Sequence, residues 1–238
     1  NFITGITVEM GWMLIKLLYV AIIYKAGTNI GILTPDHILL FVGIYLVLTG
    51  VYMLYSGNFS ALPGMVQHGE LDLYIVKLLS LQFLITMRRL DFAYLLPDLA
   101  AGIIMIVTGW RLAELPVGFL PIAGFLFYLL CGALLTYSLF LLPYLLSFWT
   151  VSVGGIADIS NALWDFNNMP SLIYGEWFRR IGTYILPIFV ITNFPGLFLM
   201  GELSPFACFW GVAAPVLFFA LSRALWKFAL KRYSSASS

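Results

Sequence analysis

HILLFVGIYLVLTGVYMLY, residues 37–55, decides the fold class: nineteen consecutive residues without one Asp, Glu, Lys or Arg. A helix rises about 1.5 Å per residue and the hydrocarbon core of a bilayer is roughly 30 Å thick, so a run of this length spans it. Outward from this stretch the pattern repeats. Further apolar runs cover residues 2–24, 95–110, 119–151, 181–200 and 206–230. The third run in chain order is short, and the fifth is interrupted by Pro187 and Pro195. Apolar residues make up 62% of the 238, charged residues only 10%, and mean hydropathy is +0.98. A soluble domain carries about 25% charged residues. Backbone groups in lipid must be satisfied internally, by helices or a closed barrel, and the runs do not alternate as barrel strands do. The expectation is an all-α polytopic membrane protein of about six transmembrane helices, one domain over residues 1–238. The chain begins at Asn1 rather than Met, so a preceding segment is expected.

Basic residues set the orientation, because Lys and Arg accumulate in cytoplasmic loops. Lys77, Arg88 and Arg89 follow the second run, Arg179 and Arg180 the fourth, and Arg223, Lys227, Lys231 and Arg232 lie towards the C-terminus. Lys25 and Arg111 fall on the opposite side, and Lys16 lies inside the first run. This places both termini, and the segments 58–90 and 152–180, in the cytoplasm of a cell bounded by this plasma or inner membrane. The net charge of +1 gives no reason to expect nucleic acid.

The 58–90 segment has the clearest local pattern. Pro63 and Gly64 are expected to break the preceding helix. Leu71, Tyr74, Ile75, Leu78 and Leu79 then fall on one helical face, with Glu70, Asp72 and Lys77 off it, so the spacing predicts an amphipathic helix over 69–79 along the inner membrane surface. Such a helix is an ordinary interfacial connector or a docking helix that receives force from a partner; the pattern serves both. In the second segment, 152–180, residues 156–166 read as a short amphipathic helix bearing Asp158 and Asp165.

These segments carry a family likeness. The stretch Gly69-Glu70-Leu71-Asp72-Leu73-Tyr74 with Lys77, then Met87-Arg88-Arg89-Leu90-Asp91, forms one block. A second runs from Phe148-Trp149-Thr150-Val151 through Met169-Pro170, Ile173-Tyr174, Phe178-Arg179-Arg180 and Leu186-Pro187 to Phe194-Pro195 and Leu199-Met200-Gly201. With these blocks the chain resembles, over nearly its whole length, a permease subunit of an ABC-2 type exporter, in the group of ABC-2 family transporter proteins or multidrug-type permeases. It departs from that group at Leu78, where the family usually has Pro, and at Gly196, where it usually has a small residue such as Ala. The resemblance implies two permease subunits, alike or related, and two ABC ATPase subunits that bind ATP and Mg and drive alternating access. It assigns the coupling role to 69–79, with Gly69, Glu70, Leu71, Asp72, Tyr74 and Lys77, and a second cytoplasmic contact to Asp158, Asp165, Arg179 and Arg180.

The chain has no Gly-x-x-x-x-Gly-Lys-[Ser/Thr] loop, no His-Glu-x-x-His and no Gly-x-Ser-x-Gly. ATP, where used, is bound by another chain, and no cofactor or metal is expected on this one. Charged groups inside spans are costly and face a partner or a cavity. Glu9 and Lys16, seven apart on one face of the first run, are candidates for structural pairing or for a pathway. Asn193, beside Pro195, begins a stretch to Gly201 that reads as a re-entrant element near the outer face or a simple proline kink. Alternatives in other classes are a non-catalytic membrane scaffold and a polytopic membrane enzyme; the latter needs converging polar groups at one depth.

Overall fold

The computed structural model describes residues 2–27, 29–150 and 154–233. Asn1 and residues 234–238, and residues 151–153, where the fourth apolar run and the second cytoplasmic segment were expected to meet, lie outside the described residues. Ten α-helices are described: α1 (Phe2–Ala26), α2 (Pro35–Gln67), α3 (Asp72–Ile75), α4 (Leu81–Thr86), α5 (Phe92–Leu112), α6 (Phe119–Leu141), α7 (Gly154–Asp165), α8 (Glu176–Tyr184), α9 (Ile188–Leu199) and α10 (Pro205–Leu230). Four of the helices, α1, α2, α5 and α10, and the stretch Phe119–Phe148 that contains α6 are long and apolar enough to cross a membrane.

The bundle has two ends. One, the terminus end, gathers Gly5 against Ala93 and Tyr94, the 68–91 segment, and Phe148 against Tyr233. The other, the far end, holds the 27–34, 113–118 and 200–204 connections. Caps fix where helices start. Thr34 and His37 form a capping box with Pro35 in the first turn of α2, Asp91 caps α5 through the Ala93 N–H (3.0 Å), and Ser204 caps α10 through the Ala207 N–H (3.2 Å).

The antiparallel α2–α5 pair is the most extensive helix contact. Its closeness comes from glycines seven apart on each helix. A Cβ at Gly43 would lie 2.8 Å from the Gly102 carbonyl oxygen, and one at Gly109 2.7 Å from the Leu40 nitrogen. Small residues let membrane helices approach until backbones touch, and dispersion over that seam holds them. The α6–α9 contact follows a related rule. Pro195 has no N–H to offer the Ile191 carbonyl, and a Cβ at Gly132 would sit 2.5 Å from that oxygen. The backbone of α6 closes on an acceptor that the proline has freed.

Three expectations are corrected. First, α2 does not break at Pro63-Gly64; it runs on to Gln67, about 50 Å in all, with Pro63 inside it. A proline removes one hydrogen bond, and the packing of Phe59, Leu62 and Met65 in the core carries the helix across it. Second, the 69–79 helix is one turn. Gly69, at φ +70, ends α2 in a left-handed cap with the Glu70 N–H bonded to the Met65 carbonyl (3.0 Å), α3 covers only Asp72–Ile75, and Leu71 alone of the expected apolar face is fully buried.

The third concerns 152–180. From the terminus end, α7 and the 3-10 turns after it carry the chain to the far end, where Leu172 packs on Gly31. Trp164 stacks on Tyr52 at 4.7 Å and meets Phe140 at 5.3 Å, which pins α7 between α2 and α6. The fifth crossing is therefore made by 154–173, not 181–200. The α8–α9 pair is bent by 97°, and Glu176 at its start and Glu202 just past its end line one pocket with Ile32 and Ser204. The pair enters and leaves at the far end, a re-entrant hairpin that begins well before Asn193.

Candidate functional site

Charged residues of the apolar crossings converge between α1, α2, α5 and α7. A cavity of about 440 Å³ there is walled by Trp12, Tyr45, Tyr52, Tyr94 and Trp164, with Glu9, Lys16 and Asp165 facing it. Burial of polar groups in such a place is costly unless each finds a partner. Lys16 finds three. Its ammonium donates to the Asn168 side-chain oxygen, sits 4.6 Å from the centre of the Tyr45 ring, and is attracted by Asp165. Glu9 is buried, and its carboxyl lies within hydrogen-bonding reach of Asp98 on α5. Asp98 is fully buried, and neither of its oxygens receives an N–H or a hydroxyl from the described residues. A hydrogen bond between two carboxyls requires a proton on one of them, so this pair is completed by a proton or by a cation.

Of the residues expected along a pathway, Glu9 and Lys16 thus share one cavity. Asn193 does not. It is buried in α9, accepts the Ser171 N–H at 2.8 Å, donates to Thr192 at 3.2 Å and lines the far-end pocket of about 420 Å³. Thr192 in turn donates to Asn167 at 3.2 Å. These bonds tie the fifth crossing to the re-entrant hairpin and give Asn193 a structural part.

The 68–91 segment forms the second candidate surface. Leu71 anchors it in the core, while Leu73, Val76, Leu78 and Leu79 stand exposed, Leu78 completely. Arg88 reaches Glu70 at 3.7 Å, and the Lys77 ammonium lies 5.0 Å from the centre of the Tyr74 ring. Tyr233 sits beside Asp72; burial first, and that carboxylate second, push its phenol above the usual range. Behind the segment, α4 is held by buried polar groups. Gln82 donates to the Tyr137 hydroxyl (2.9 Å) and accepts from Arg223 (2.9 Å), and Asn58 donates to the carbonyls of Thr86 (2.8 Å) and Arg89 (2.6 Å). Arg223, counted above with the basic residues towards the C-terminus, serves this clasp.

The second contact expected of Asp158, Asp165, Arg179 and Arg180 does not assemble. Asp158 is exposed early in α7, Asp165 faces the Lys16 cavity, and Arg179 and Arg180 line the far-end pocket. Arg180 pairs there with Glu176 at 2.5 Å. The re-entrant course of 176–199 carries the two arginines to the end opposite the 68–91 segment.

Sequence reasoning gave no site role to Asp98, Gln82, Asn58 or Tyr137. Asp98 carried a signal, an acid within an apolar run; the Gln82–Arg223 bond joins residues 141 apart and has none in the local pattern.

No curated protein and no solved structure matches the chain. The family model described as ABC-2 family transporter protein matches residues 10–237. That span takes in α1 from Met10 onward, α2 through α10, the 68–91 segment and the re-entrant hairpin, and the chain accordingly belongs to the ABC-2 family of transporter proteins, as a multi-pass membrane permease of the ABC-2 type.

Proposed function

We propose that the chain is the transmembrane subunit of an ATP-driven exporter. ABC ATPase subunits bind ATP and Mg, dock on the 68–80 surface from the cytoplasm, and drive alternating access in a pair of permease subunits, alike or related. The terminus end then faces the cytoplasm of a plasma or inner membrane. Lys77, Arg88, Arg89, Lys227, Lys231 and Arg232 still lie towards that end, against Lys25, Arg111, Arg179 and Arg180 at the other. The cargo is amphipathic or lipid-like and passes by the cavity of Glu9 and Lys16.

One observation carries this reading: the segment that offers Glu70, Asp72 and exposed Leu73, Val76, Leu78 and Leu79 to a partner is bonded, through α4, to three crossings at once. A push on it reaches α2 by Asn58, α6 by Tyr137 and α10 by Arg223. No second rigid path of this kind is needed, because packed helices transmit displacement rather than absorb it.

The test is the double variant Glu70→Lys/Asp72→Lys, coexpressed with its ATPase and purified gently. The expected outcome is loss of ATPase from the complex, or ATP hydrolysis that no longer supports efflux. Full copurification together with undiminished efflux would overturn the docking assignment.

A further inference from the structure

Resting on the permease reading above, we propose that the α1–α2–α5–α7 cavity is a binding site for an organic cation, an amphiphile whose positively charged head is held by Glu9, with Asp98 buried behind it, and whose apolar body lies against the aromatic walls. Four observations meet here. The volume, about 440 Å³, is that of a site for a drug-sized molecule. The walls are Trp12, Tyr45, Tyr52, Tyr94 and Trp164, ring faces that attract cations most strongly where water is excluded. Charge is unbalanced: Glu9 and Asp165 line the cavity with Lys16, and Asp98, buried outside the lining, acts on both Glu9 and Lys16. Lys16 is engaged towards Asn168, Tyr45 and Asp165, and on a helix it stands about 10 Å along from Glu9.

Glu9 thus faces the cavity with no close counter-cation among the described residues. Asp98, behind it, is completely buried; neither of its oxygens receives a donor from the described residues, it lies against the Glu9 carboxyl, and the Lys16 ammonium acts on it only through space. Unpaired acids at membrane depth are retained where a ligand completes them. Lys16 over the Tyr45 ring shows the same recognition in miniature, a resident ammonium on an aromatic face. A cargo of like charge would take the neighbouring faces of Tyr52 and Trp164.

Charge can be separated from shape with two ions of nearly the same form. Tetraphenylphosphonium and tetraphenylborate are titrated separately against the purified full-length protein in lipid nanodiscs, reading the quenching of tryptophan fluorescence. Saturable binding of the cation and none of the anion is expected. Glu9→Gln/Asp98→Asn should weaken the cation by at least about tenfold, and Lys16→Met, which removes the resident charge, should tighten it. Should the carboxyl variant fail to fold, Lys16→Met alone decides. Equal binding of both ions, or cation binding that neither variant moves, overturns the proposal. The measurement needs no ATPase, so its failure is distinct from failure of the exporter reading, which would show as the absence of an ATPase from the purified complex.

Discussion

Replacing Gly102 by Ala tests the close seam on which the bundle is built. The added methyl would lie 2.7 Å from Val47 Cγ2, 2.8 Å from the Gly43 carbonyl oxygen and 2.9 Å from the Val47 nitrogen, where ordinary contact begins near 3.4 Å. Two of the three obstacles are backbone atoms of α2, so no rotamer change relieves them, and α5 must move out by about 0.6 Å. Overpacking of this kind costs about 1–3 kcal/mol, offset by about 0.5–1 kcal/mol because Ala is the better helix former. Taken at the middle of each range, the net loss is about 1 kcal/mol. Gly57→Ala is the matched control: it also lies inside α2, but a Cβ there meets nothing within 4 Å, and only the gain of about 0.5–1 kcal/mol applies. Thermal unfolding in a mild detergent, followed by circular dichroism, separates the two, since about 1 kcal/mol moves the midpoint by 2–4 °C in a chain of this size. Gly102→Ala should melt below the parent and Gly57→Ala at or above it. Adding Val47→Ala to Gly102→Ala should not restore the midpoint, because the backbone contacts remain. A Gly102→Ala protein as stable as Gly57→Ala would refute the seam.

Two further outcomes concern the ends of the bundle. Gln82→Leu strips Arg223 of its bond to α4 and leaves Tyr137 only Thr86 there, at 3.2 Å, each lost bond costing about 1–3 kcal/mol; amide hydrogen exchange should quicken over residues 81–90 while the α2–α5 pair stays protected, and unchanged exchange would dissolve the clasp. Single cysteines at Trp177, Ser204 and Leu78 should divide by side under an impermeant thiol reagent, the first two labelled together and Leu78 from the opposite face. Trp177 labelling with Leu78 would return 152–180 to the side first expected from its arginines.

Hydropathy located five of the six crossings because each carries a long apolar run, whether largely exposed, as α1 is, or enclosed by the other helices, as α2 is. It passed over the fifth for a physical reason. Helix α7 meets the bundle along one face, with Trp164 among Tyr52, Tyr45 and Phe140, while Asp158, Asn161 and Asp165 on its exposed side give it a polarity that reads as a water-facing loop. The polar residues after it, Asn167 and Ser171, are satisfied by Thr192 and Asn193, a pairing that only the folded chain brings about. The re-entrant hairpin was then mistaken in part for a span, since α9 is apolar on all sides, buried within the bundle rather than facing lipid. Arg179 and Arg180 misled for the same reason: a basic pair reports the side of the membrane only when the crossings before it are correctly numbered. Glu9 and Lys16 were legible, because charges in an apolar helix have few explanations, whereas the role of Asp98 depends on the α5 register that Gly50 and Gly102 fix against α2.

The same seam bears on how a push at one end reaches the cavity. Helix α2 is a single rod of about 50 Å, with Asn58 gripping α4 near one end and Tyr45 and Tyr52 forming the cavity wall about two to four turns further along. Gly43, Gly50, Gly102 and Gly109 lock this rod to α5, which carries Asp98, so the wall and the buried acid move as one body. The opposite wall differs. Helix α1 is largely exposed and packs lightly on its neighbours, and it brings Glu9 and Lys16. A displacement of the 68–91 segment therefore shifts Asp98 against Glu9, across the least tightly packed boundary of the cavity. The carboxyl pair lies where relative motion is cheapest, and on the proposed reading a ligand held in one arrangement is released when the rod carries Asp98 away from Glu9.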